Sequence, residues 1–164
     1  MMSSEAHKKQ IGLAVASALV PLGFRRKGLV FTRQLGEVTH LLSLQSSTSS
    51  TASLLKLTVN LGVWVSSLAE PGSKPNLWSA HWRERLGFLM PQRIDYWWEI
   101  SSDQDAERAT REIVEAVQTH AVPQFEQLAT KKALEALWRT GRSPGLTAFQ
   151  TKRYLDSIEH EPTT

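Results

Sequence analysis

The stretch LLKLTVNLGVWV, residues 54–65, constrains this chain more than any other. Leu55, Leu57, Val59, Leu61, Val63 and Val65 alternate with Lys56, Thr58, Asn60, Gly62 and Trp64. A strand turns successive side chains to opposite faces, so this one carries an aliphatic face and a mixed polar face. That pattern belongs to a half-buried antiparallel strand and requires apolar elements packed on one side of a sheet.

The neighbouring segments supply the rest of such a fold. GLVFTRQ (28–34) and VTHLLSLQ (38–45) read as two strands turning at Gly36, and SSTSSTAS (46–53) as a polar loop. YWWEI (96–100) reads as the last strand. Before the strands, Ile11, Val15, Ala18, Leu19 and Leu22 recur at helical spacing, and Pro21 with Gly23 ends that helix. The basic lead and small apolar residues of this segment also fit a secretory signal, but the helical reading is preferred.

After the strands, Ser102 with Asp105 three residues on opens a helix whose core stripe is Ile113, Val114 and Val117. Glu107–Arg111 and Arg108–Glu112 are expected to pair on its outer side. Pro123 kinks this helix or starts a new one through Phe125, Leu128, Leu134 and Trp138 to Gly141. A final helix is expected from Ser143 and Pro144, with Phe149, Tyr154, Leu155 and Ile158 inward. Between Ser66 and Asp95 the chain is irregular, apart from a helical turn in HWRERLGFL that places Trp82, Leu86 and Leu89 together.

This element order predicts an α+β fold, a four- to five-stranded antiparallel sheet with helices packed mainly on one face. No linker divides the 164 residues, so a single domain spanning 1–164 is expected. With no cysteine, disulfides, thiolate zinc sites and thiol nucleophiles are excluded. No stretch is long and apolar enough to span a membrane. The net charge of +3 is too small to argue for nucleic acid or anionic lipid by itself.

The segments LGFRRKGLVFTR (22–33), LLSLQSS (41–47), LTVNLGVWV (57–65), HWRERLGFL (81–89) and WWEI (97–100) occur in an order that resembles a bacterial family, domain of unknown function 4304. The resemblance implies a fold and a bacterial cytoplasmic setting. It implies no chemistry, and a toxin-neutralising, immunity-like role is only a fold-level analogy.

Searches for chemistry return little. The chain contains no P-loop, G-x-S-x-G, H-E-x-x-H or G-x-G-x-x-G pattern. His81 and Glu84 stand three apart, but no third ligand is evident, so neither a metal nor another cofactor is expected. Arg25, Arg26, Lys27 and Arg33 are the candidate nucleic-acid contacts, against the plainer reading of a charge-protected sheet edge.

The alternation instead marks the sheet's far face. If the aliphatic residues face the helices, then Lys56, Thr58, Asn60 and Trp64 face away, joined by Ser43 and Gln45. In DYWWEI, Trp98 with Tyr96 and Ile100 goes inward, leaving Trp97 and Glu99 with the far set. Two expectations compete for this face. The favoured one folds residues 66–95 over it, burying Trp64 and Trp97 in a second small core. The other leaves a recognition surface, where tryptophan is enriched.

Three functions follow. A non-catalytic module binding another protein ranks first. An enzyme or small-ligand protein using Gln45, Asn60, His81 and Glu99 ranks second. Nucleic-acid binding ranks last.

Overall fold

The computed structural model describes residues 2–161. Helix α1 (Ser4–Leu19) starts where the Ser3 side chain accepts the Ala6 N–H. It ends in a 3-10 turn closed by Gly23 at φ 95°, a left-handed conformation that suits glycine. The chain then forms β1 (Arg25–Lys27), β2 (Val30–Leu35), β3 (Val38–Ser46) and β4 (Leu55–Val65). Strands β5 (Trp82–Arg85) and β6 (Trp98–Ile100) complete one antiparallel sheet.

The sheet order is β1-β2-β3-β4-β5, and β6 also pairs with β4. Strand β4 therefore shares its second edge between two partners: β5 lies along residues 60–63 and β6 along residues 55–57. The sheet has six strands where four or five were expected. The difference comes from β1 and β5, three and four residues long, which are too short to display a reliable period of two. The helical turn expected around Trp82 is corrected as well. Trp82 pairs with Val63 in β5, and Leu86 falls in the following 3-10 turn. Both are buried, and their spacing of four reflects that shared burial.

Ile11, Val15 and Leu19 of α1 join the aliphatic face of β4 in one core. Helix α2 (Asp103–Ala116), capped by Ser102, adds Ala106, Ala109, Ile113 and Ala116. The outer pairs of α2 differ from expectation. Arg108 bonds Asp105 at 3.1 Å, and Glu112 accepts the Trp98 indole N–H at 2.9 Å.

A π-helical turn (Val117–Ala121) carries the chain into α3 (Val122–Gln127), with Pro123 in its first turn, where a missing N–H costs little. The expected continuous helix to Gly141 is broken at Leu128. Helix α4 (Lys131–Arg139) starts afresh, with Thr130 accepting the Ala133 N–H. Helix α5 (Ala148–Glu159) opens at Thr147 through a reciprocal capping box with Gln150, beyond the expected Ser143 and Pro144. Phe149, expected inward, is exposed; Tyr154, Leu155 and Ile158 pack against the core.

Candidate functional site: a trough on the open face of the sheet

Register determines which side chains share the face away from α1 and α2. Directly opposed residues lie on one side of an antiparallel pair. Ser43 opposes Asn60, Gln45 opposes Thr58, Leu41 opposes Gly62 and Thr39 opposes Trp64. Arg85 opposes Asn60 and Arg83 opposes Gly62, so both arginines join this face.

The two ends of the face differ. At one end the 66–81 segment closes down: a Cβ on Gly62 would sit 2.6 Å from Leu77 and 3.2 Å from Ala80. Trp64 is buried there, its ring 6.3 Å from that of His81. At the other end Ser43, Gln45 and Asn60 floor an open trough of about 680 Å³. Leu77, Trp78, Arg83, Arg85, Phe88 and Gly145 form its walls. The cover expected of residues 66–95 is therefore partial. It buries Trp64, while Trp78, within the same segment, is 90% exposed at the rim.

The polar floor is wired across three strands. Asn60 donates to the Gln45 side-chain oxygen at 2.6 Å, and Arg85 Nε donates to Asn60 Oδ1 at 3.3 Å. Arg85 also donates to Asp95 at 2.5 Å. Its guanidinium lies 5.1 Å from the ring centre of Trp97, within cation–π range. This contact explains the second indole of the Trp97–Trp98 pair. Trp98 enters the core, edge-on to Tyr96, and Trp97 is a half-buried platform that holds Arg85.

Arg83 is held differently. It donates from Nη1 to the Trp78 carbonyl at 3.3 Å and from Nη2 to the Gly145 carbonyl. Its backbone N–H donates to the Pro144 carbonyl at 3.0 Å. Gly145, at φ 82°, permits this approach, since a Cβ there would stand 2.6 Å from the Arg83 Cβ. Arg83 thus clasps the turn before α5 against β5. Among the described residues it has no carboxylate partner, and its Nε is buried without an acceptor. Glu84, also at the trough, has its carboxyl pKa raised by burial, against the lowering influence of the Arg85 N–H and of Arg142.

Of the far-face residues singled out from the sequence, Ser43, Gln45 and Asn60 meet in the trough. His81 is buried elsewhere, with Nδ1 accepting the Val65 N–H at 3.0 Å and its ring edge-on to Tyr154. Burial lowers its pKa to about 4, so the ring is neutral. Glu99 lies outside the trough, 3.5 Å from Lys56.

The four basic candidates do not form one patch. Arg33 is buried, donating to His40 Nδ1 and Glu126 at 3.1 Å each and to the Leu22 carbonyl at 3.2 Å. His40 in turn donates from Nε2 to the Leu128 carbonyl at 2.9 Å and stacks on Phe125, and burial lowers its pKa. These contacts make Arg33 a structural tie between β2 and the end of α3. Arg26 bonds the Gly28 carbonyl, whereas Arg25 and Lys27 are exposed on the edge strand β1.

Sequence reasoning missed Trp78, Phe88, Arg83 and Arg85. A usable signal existed in WRER, where a period of two puts both arginines on one face. Among the described residues, no group of three or more His, Cys, Asp or Glu is placed to hold a metal ion. No helix among them is long and apolar enough to cross a membrane.

The sequence profile of the domain of unknown function DUF4304 matches residues 15–127, and the chain belongs to that family. The match takes in all six strands and the floor of the trough. Helices α4 and α5, and the Gly145 wall, lie beyond it. No curated protein and no solved structure matches the chain.

Proposed function

We propose that this DUF4304 member is a non-catalytic binding module of the bacterial cytoplasm that docks another protein in the trough. The observation that carries the proposal is Trp78, 90% exposed beside Phe88 at the mouth of a sheet-floored concavity. Solvated indoles are costly, and tryptophan and arginine dominate the energetics of protein interfaces. The trough adds amide and hydroxyl groups at its floor and a guanidinium pre-oriented by carbonyls, which suits recognition. An immunity-like role is one form of this function and rests on fold analogy alone.

The test is affinity capture from nuclease-treated lysate of the source organism, with wild type and Trp78→Ala side by side. A stoichiometric protein held by wild type and lost from the variant supports docking at the trough. A partner held equally by both refutes it. The volume of about 680 Å³ also falls in the range of small-molecule sites, which favours a second reading, a small-ligand protein. Native mass spectrometry of the purified protein separates the two, since a co-purifying adduct lost in Trp78→Ala supports the second reading.

A further inference from the structure

We infer that the segment docked in the trough is acidic and apolar: a peptide stretch that offers a carboxylate to Arg83 and an aliphatic or aromatic side chain to Trp78. This inference rests on the reading of the trough as a protein-docking site and adds the chemistry of its occupant.

The charge argument starts from the different ways the two arginines are satisfied. Arg85 is neutralised by Asp95 and committed to Asn60 and Trp97. Arg83 is fixed by two carbonyls, which orient a guanidinium without cancelling its charge. A guanidinium has five N–H donors; here one on each of Nη1 and Nη2 is used and Nε is buried, which leaves one N–H on each of Nη1 and Nη2 for an incoming acceptor. Carboxylates and phosphates are the acceptors that a rigid guanidinium fork binds best.

Among the described residues Glu84 is the one carboxylate lining the trough. It opposes Leu61, so its side chain leaves from the other side of β5 than those of Arg83 and Arg85, and nearby Arg142 further limits the repulsion it offers. Leu77, Trp78 and Phe88 supply apolar surface beside that charge. The Gln45 and Asn60 amides, with the Ser43 hydroxyl, face the same space and match the backbone groups of an extended chain.

A nucleic-acid strand would present anions too, but it needs a basic track spaced along its backbone. The exposed Arg25 and Lys27 stand on β1, at the opposite edge of the sheet from β5. One uncompensated guanidinium next to an indole matches one carboxylate next to an apolar side chain.

The experiment is panning of a phage-displayed random peptide library on wild type, with counter-selection on Trp78→Ala. The variant removes a solvated side chain, so it keeps the fold. Enriched peptides are then synthesised and titrated, each beside a version with its carboxylates replaced by the matching amides. The inference predicts acidic–apolar sequences that weaken roughly tenfold or more on Trp78→Ala. It also predicts a loss of about tenfold when the carboxylate becomes an amide.

Enriched peptides without acids, or acids whose amides bind equally well, overturn the inference and leave the docking site standing. No enrichment of wild type over Trp78→Ala overturns both. Oligothymidylate that binds more tightly than any peptide and displaces it overturns the inference in favour of nucleic acid.

Discussion

Two glycines that undergo the same chemical change should respond by very different amounts, because their neighbours differ. A Cβ on Gly87 would stand 2.2 Å from the Ile94 carbonyl oxygen and 2.7 Å from the Tyr96 nitrogen. Both are backbone atoms, so Gly87→Ala must push the 94–96 segment off the sheet. Three contacts go with it: the bond from Thr58 Oγ1 to the Tyr96 carbonyl, the Arg85–Asp95 pair and the packing of Tyr96 on Trp98. Overpacking costs typically 1–3 kcal/mol and more where neighbours cannot yield, so about 3 kcal/mol is expected here.

At Gly62 the closest atom is instead the end of the half-buried Leu77 side chain, which can rotate, with the Ala80 Cβ next. Neither glycine has a positive φ, so alanine also gains about 0.4–1 kcal/mol from the unfolded state. Gly62→Ala should therefore lie within about 1 kcal/mol of wild type. Urea unfolding with both slope and midpoint fitted measures the difference. A Gly62→Ala cost equal to or above that of Gly87→Ala would refute the reasoning.

Other expectations follow from the same contacts. Arg33→Ala leaves the buried His40 Nδ1 and Leu22 carbonyl without their donor and should cost about 2–4 kcal/mol in urea unfolding. Trp78→Ala should change stability by less than about 0.5 kcal/mol, checked by thermal unfolding, because the indole is almost wholly solvated. His81 is held neutral with a pKa of about 4 against an ordinary 6.5. The unfolded chain therefore takes up the proton first, and the stability His81 contributes is complete above about pH 6.5 and lost as pH falls towards about 4. The loss is on the order of 3 kcal/mol. It should flatten in His81→Asn, whose amide oxygen can accept the Val65 N–H; an unchanged urea-midpoint profile from about pH 7 to 4 would contradict this.

The α+β architecture was legible because β4 alternates over its full length and β3 over most of its own. From that alternation alone, Ser43, Gln45 and Asn60 could be placed on one face, where the register puts them. WRER was ambiguous because four residues satisfy a helical and a strand period equally, and only pairing with β4 decides between them. Glu99 and Trp97 share the far side with Lys56 and Asn60, but only Trp97 stays near Asn60, through Arg85. Strand β6 pairs with the far end of β4, opposite Lys56, and this displaces Glu99 from the trough. The exposure of Trp78 was not readable, since it depends on how far the Pro- and Gly-rich 66–81 segment reaches over the sheet. Thr147 and Gln150 spelled the start of α5, but the adjacent Ser143–Pro144 signal competed with it.

The most direct test of the trough as a docking surface is site-specific photocrosslinking in the source organism. A benzophenone amino acid would replace Trp78, Phe88 or, as control, the exposed Glu107 of α2. One shared protein adduct at positions 78 and 88, absent at 107, is the predicted result. An adduct equally strong at all three, or present only at 107, would contradict the account.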